Sequence, residues 1–309
     1  MGWDRSSAWL ERPPDKREVA GSNPAGPTLI FTVLQSYCYM LDHSELVDLD
    51  LRYFTAEDGT RIAYWVAGPK DASTILLVHG WAVSKEYWRP LLPKDHPPRY
   101  RLVIPDIRGH GDSDAKPPYT TIQAAKDLLQ LAEHEHVDFI VGHSWGGLIA
   151  QRLAALGDFK GAIFASTFAR LSNFPAHLVE WALPFLERMD MDTFARLSVR
   201  FGYHVAHENV DWLYDVYKSA RRDVVIQSGK DILRYDGRHL LSRIDCPVLV
   251  VHGEKDVVVP PAHGKYLWRR ISDADMVIFP ETGHDVVLEA GRIFRRVMSG
   301  FIEDILRYE

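Results

Sequence analysis

The chain has little cysteine: Cys38 and Cys246 are the only two in 309 residues. That excludes a disulfide framework and favours a cytoplasmic setting. Long apolar runs are also missing. The stretch Leu29 to Leu34 is broken by Gln35 and Ser36 and lacks a basic flank directly before it. It is too short to span a bilayer and fits a secretory signal poorly. Charge of one sign is never concentrated, with 36 Lys and Arg against 42 Asp and Glu and a net charge of -6. Such mild acidity argues against a nucleic-acid partner or an anionic membrane surface. Zinc-ligand spacings are absent too. His134-Glu135-His136 ends a predicted helix, but residues two apart on a helix point to different sides, so a solvated helix end is expected and no metal.

What remains is the composition of a globular domain, 46% hydrophobic and 25% charged. Residues 1 to 27 show neither helical nor strand periodicity. Two readings stand for this extension. It is an ordinary disordered tail, or a transfer-RNA gene read through as protein with Met40 the true start. The second follows because Val19 to Thr28 can be encoded GTC GCG GGT TCG AAT CCC GCC GGC CCC ACC, where GCGGG and CCCGC pair around TTCGAAT. On both readings residues 1–40 stand apart from the fold.

From residue 51 the pattern is regular. Leu51 to Thr55 and Arg61 to Ala67 alternate in period two about Asp58-Gly59, predicting a hairpin. Strands are predicted at Thr74 to Val78, Arg101 to Ile104, Phe139 to Val141 and Ala162 to Ala165. Helical segments follow Ser84 and span Thr121 to Glu135, the latter with apolar Ile122, Ala125, Leu128, Leu129 and Ala132. Alternating strands and helices define an α/β fold with a mostly parallel sheet, helices on both faces and antiparallel strands at one edge.

The run Asp138-Phe139-Ile140-Val141-Gly142-His143-Ser144-Trp145-Gly146-Gly147 carries the chemistry. A strand ends in Gly-x-Ser-x-Gly and a helix follows, the context of a nucleophile elbow. Gly142 and Gly146 leave room for the chain to reverse, and Ser144 is expected in a strained conformation. A serine hydroxyl needs a base, and the base an orienting acid. Pro247 to Gly253 reads as a buried strand leading to Asp256. Met276 to Pro280 reads as another, leading to His284. Glu254 stands two residues from Asp256 as an alternative acid.

This ordered set resembles the α/β-hydrolase superfamily over about residues 51 to 305, and within it serine esterases and cofactor-free haloperoxidase-like enzymes. Leu76-Leu77-Val78-His79-Gly80-Trp81 looks like the strand and loop that supply an oxyanion donor. Val103 to Ser113 looks like the next strand and its Gly-rich return loop, and Ile232-Leu233-Arg234-Tyr235-Asp236 before Cys246-Pro247 has the haloperoxidase-like look. The resemblance implies a core of residues 41–167 and 231–309 and a helical cap, 168–230. It implies Ser144 as nucleophile, Asp256 and His284 as its partners, and an oxyanion hole from the N–H groups of Trp81 and Trp145. Substituting either indole is expected to change pocket shape more than the hole. His79, His110 and His143 are expected to organise loops around the elbow. No metal or organic cofactor is implied.

The segment 168–230 is strand-poor and rich in apolar and aromatic residues, among them Trp181, Leu183, Phe185, Leu186, Phe194, Leu197, Phe201, Tyr203, Trp212, Leu213, Tyr214 and Tyr217. They point to a small, partly apolar substrate, though each one alone is more readily a packing residue. The reaction expected is ester hydrolysis through an acyl-enzyme. Lactonase, perhydrolase, thioesterase and carbon–carbon hydrolase chemistry use the same triad, and Glu180, Glu187 or Glu208 would be wanted by a proline-type aminopeptidase. A ligand-binding protein without catalysis is the alternative from another class. Oligomeric state leaves no trace in the sequence.

Overall fold

Period-two alternation about Asp58-Gly59 becomes an antiparallel pair, β1 (Asp50–Thr55) and β2 (Arg61–Ala67), with Leu51 opposite Trp65 and Tyr53 opposite Ala63. These strands lead a computed structural model that describes residues 46–171, 184, 187–204 and 211–308. The N-terminal extension, Trp181, Leu183, Phe185, Leu186, Glu180 and Glu208 lie outside the described residues.

Six further strands follow: β3 (Thr74–Val78), β4 (Arg101–Pro105), β5 (Phe139–His143), β6 (Gly161–Ala165), β7 (Val248–Gly253) and β8 (Ala274–Phe279). They join in the order β1-β2-β4-β3-β5-β6-β7-β8. β2 is antiparallel to both neighbours, and every other neighbouring pair is parallel. The chain is an α/β fold with the mostly parallel sheet that the sequence predicts. β3, β5, β6 and β7 are buried along their whole length, which explains why they read as continuous apolar runs.

Alternate residues of these strands feed two cores. Leu76, Ile140, Phe164 and Val250 face α1 (Thr121–His134), α2 (Trp145–Leu156) and α6 (Ala262–Arg270; α3 to α5 are described below). Leu77, Val141, Ile163 and Val251 face a 3-10 helix (Lys85–Leu91) and the C-terminal α7 (Gly291–Tyr308). The helical segment expected after Ser84 is a 3-10 helix; Ser84 caps it and Pro90, without an N–H, falls inside it.

In α1 the buried stripe is Ala124, Ala125, Leu128, Leu131 and Ala132, while Ile122 is 51% exposed. Six residues from Leu128 place Ile122 on the far side of the helix, so its expected place in the stripe is corrected. Glu135 is not solvated as expected either. It is buried, accepts the Tyr64 hydroxyl at 2.6 Å and pairs with Arg101.

Between β6 and β7 lie α3 (Met191–Gly202), α4 (Asp211–Ser219) and α5 (Arg222–Arg234), and α3 packs on α4. No described residue from 168 to 234 belongs to a named strand. α5 runs across the boundary between residues 230 and 231, where the core was expected to resume.

Candidate active site

Three strand ends meet at the carboxyl edge of the parallel sheet, where side chains of open α/β sheets converge. Ser144 sits between β5 and α2 at φ 52 and ψ -116, a left-handed conformation costly for a non-glycine residue. Its flanks leave no room for side chains. A Cβ on Gly142 would lie 2.3 Å from the Gly146 carbonyl oxygen, and one on Gly146 would lie 2.2 Å from that of Val78. The elbow therefore locks α2 against the end of β3.

Ser144 Oγ lies 2.9 Å from His284 Nε2, and His284 Nδ1 lies 2.9 Å from Asp256 Oδ2. Asp256 is buried, and its Oδ1 accepts the N–H groups of Val258 and Val259 at 3.0 and 2.8 Å. Burial alone raises a carboxyl's pKa, but the His284 and His252 contacts win and hold Asp256 well below the usual carboxylate range. For His284 burial works against the charged ring. The charge and hydrogen bond of Asp256 outweigh it, so His284 lies above the ordinary 6.5. Glu254, the alternative acid, points elsewhere and accepts the Glu281 N–H.

Histidines around the elbow organise it. His79 Nε2 accepts the Ile107 N–H at 3.0 Å, so its proton is on Nδ1, donated to the Gly80 carbonyl at 2.8 Å. His110 Nδ1 lies 3.1 Å from the Arg108 carbonyl, and burial depresses its pKa to about 4. His143 stacks on Tyr87 with centroids 4.5 Å apart, and its Nε2 donates to the His284 carbonyl at 3.0 Å. Burial, helped by His284, holds His143 at about 3, so it stays neutral.

Trp145 begins α2, where N–H groups have no intrahelical acceptor and the helix dipole is positive. The loop bearing Trp81 lies against the serine: a Cβ on Gly80 would come within 3.4 Å of the Ser144 Cβ. The two indoles differ, which corrects one expectation. Trp81 lines the cavity above Ser144, whereas Trp145 is fully buried, donates to Thr121 Oγ1 at 3.0 Å and does not line it.

That cavity holds about 310 Å³. Of the aromatic residues singled out in the sequence, Phe194, Phe201 and Tyr217 line it, with Leu197. Trp212 and Tyr203 pack on the second core instead. Glu187 is turned away, paired with Lys230. Sequence reasoning missed Tyr87, Met189 and Asp285 in the lining. Asp285 is buried beside His284 with Oδ2 unpartnered, and burial pushes it up to about 6.

The loop of His284 is tied to the end of α3. The Gly202 carbonyl accepts the N–H groups of both His284 and Asp285, at 3.0 and 3.2 Å. Glu289 accepts the Gly283 N–H on one oxygen and the His204 N–H on the other, at 2.9 and 3.0 Å. Among the described residues no group of three His, Cys, Asp or Glu could hold a metal ion, and no helix is long and apolar enough to cross a membrane.

The model of the alpha/beta hydrolase family matches residues 75–296, and the chain belongs to that family. It is 29% identical over 250 residues to a pimeloyl-[acyl-carrier protein] methyl ester esterase of Neisseria meningitidis, covering 77% of this chain and 79% of that one. A hydrolase from Pseudomonas aeruginosa superposes with a TM-score of 0.73 at 26% identity, over 82% of this chain and 98% of the other. An esterase from Rhodococcus sp. ECU1013 superposes with a TM-score of 0.71, also at 26% identity, over 82% and 99%.

Proposed function

We propose that this hydrolase cleaves carboxylic esters of small, partly apolar acids through an acyl-enzyme on Ser144. The single observation that carries the reading is the unbroken hydrogen-bonded chain from Ser144 Oγ through His284 to Asp256. The esterases among its relatives support the choice of bond. His284 accepts the Ser144 proton as Oγ attacks the acyl carbon. The N–H groups of Trp81 and Trp145 face the oxyanion, a contribution usually worth about a hundredfold or more per donor. Asp256 holds the imidazole in its Nδ1–H tautomer and stabilises the imidazolium. His284 then protonates the leaving alcohol, and water, deprotonated by the same ring, releases the acid.

In this reading residues 168–230 act as a cap that excludes water, over a core of residues 41–167 and 231–309. Its supports are the positions of Phe194, Leu197 and Tyr217 above the serine. A cytoplasmic setting accompanies it, in keeping with the scarcity of cysteine.

The test is fluorophosphonate titration beside p-nitrophenyl ester turnover. Stoichiometric labelling at Ser144, and at least about a thousandfold loss of turnover in a folded Ser144→Ala variant, are expected. A folded protein that neither labels nor turns over would favour ligand binding without catalysis.

A further inference from the structure

Beside the cavity over Ser144 lies a second one of about 160 Å³, lined by Met191, Val225, Ile226, Gly229, Ile232 and Leu233 together with the exposed Arg222. Trp81, Met189 and Phe194 line both cavities, so they form a common wall three side chains wide. The wall has a fixed part and a soft part. Trp81 Nε1 donates to the Val225 carbonyl and to Ser228 Oγ, at 3.1 and 3.0 Å, which pins the indole to α5. A Cβ on Gly229 would come 3.0 Å from the indole, so this glycine lets the ring lie flat against the helix. Phe194 meets Trp81 and Tyr217 only by ring edges, with centroids 5.5 and 6.2 Å away. Met189 is unbranched, with several low-barrier rotors. The cavity is open to solvent on one side, where Arg222 is exposed and Met191, Ile226, Ile232 and Leu233 are half-buried, so an apolar chain laid in it would cover apolar surface now facing water.

We propose that the second cavity is the distal subsite for a linear apolar acyl chain, with Phe194 and Met189 as the gate between the two. The inference rests on the serine-hydrolase reading and names its substrate class: esters of medium-length, unbranched fatty acids. Direction decides which half of the ester enters. The leaving alcohol must lie at His284 Nε2, which protonates it. With the oxyanion at the N–H groups of Trp81 and Trp145, the acyl substituent takes the direction left over, away from His284 and into the part of the cavity that the Trp81 indole lines. That is where the second cavity lies: it shares Trp81 with the first and contains none of Ser144, His284 or Asp285. A chain that turns past Phe194 buries each further methylene against aliphatic side chains, a gain of about fourfold in kcat/KM per methylene.

The experiment compares kcat/KM for p-nitrophenyl acetate, butyrate, octanoate and dodecanoate in wild type, Ile226→Trp, Leu233→Trp and Phe194→Ala. Both tryptophan variants fill the distal cavity from α5 and should lower the octanoate-to-acetate ratio at least tenfold. Phe194→Ala removes the partition and should move the optimum to a longer chain. Ratios within threefold of wild type in both folded tryptophan variants overturn the subsite. Wild-type protein without acetate turnover or fluorophosphonate labelling removes the serine-hydrolase reading instead, and the inference with it.

Discussion

Asp256 and Asp285 are both buried at the active site, yet their surroundings drive them apart. Asp256 faces His284, His252 and two backbone N–H groups and stays ionised; Asp285 has an unpartnered oxygen and is pushed up to about 6. In the proposed mechanism neutral His284 accepts the serine proton, and Asp256 holds the ring's pKa above 6.5. Activity should therefore fall as pH drops through a value above 6.5. In Asp256→Asn, kcat should fall by about four orders of magnitude and the acidic limb of kcat/KM should move to lower pH. A pH–rate profile of both proteins checks this, and an unmoved limb would remove Asp256 from the role. That Ser144, Asp256 and His284 would converge was legible in the sequence because the proposed chemistry restricts residue type and chain order. Tyr87, Met189 and Asp285 were not, because only the folding of distant segments places them around the cavity.

Strands and helices were legible to different degrees, for a physical reason. β3, β5, β6 and β7 are buried on both faces, so nearly every residue is apolar, Thr74, His143 and His252 excepted, and the run itself marks the strand. The stripe of α1 was harder, since Ile122 is apolar without being buried. The 3-10 helix after Ser84 depends on a contact that no periodicity records. Lys85 Nζ lies 2.6 Å from Asp106 and 2.6 Å from Asp112, tying this helix to the loop after β4. Lys85 and Asp106 are both buried, so Lys85→Met leaves Asp106 without its cation. A loss of about 3–5 kcal/mol in unfolding free energy is expected from denaturant titration. A loss under 1 kcal/mol would mean that the loop is held by its backbone contacts alone.

At the scale of the whole molecule, the buried Asp285 makes stability depend on pH. Its carboxyl titrates near 3.8 when the chain is unfolded and at about 6 when folded. The folded state holds this proton more tightly, so its contribution is complete below pH 3.8 and is lost as pH rises through about 6. Asp285→Asn mimics the protonated acid. It should therefore raise Tm over wild type at pH 8, by the equivalent of about 3 kcal/mol, and give little gain at pH 4. Thermal melts at the two values decide it; an equal change at both would place the effect in packing rather than charge.

The Gly202 carbonyl receives the amide hydrogens of His284 and Asp285, and it ends α3, whose Phe194, Leu197 and Phe201 line the cavity beside Ser144. Because these bonds are made by the backbone, side chains that α3 turns toward the cavity can be exchanged without loosening the histidine loop. The shape of the pocket and the alignment of the ring are thus separately adjustable, although one helix serves both.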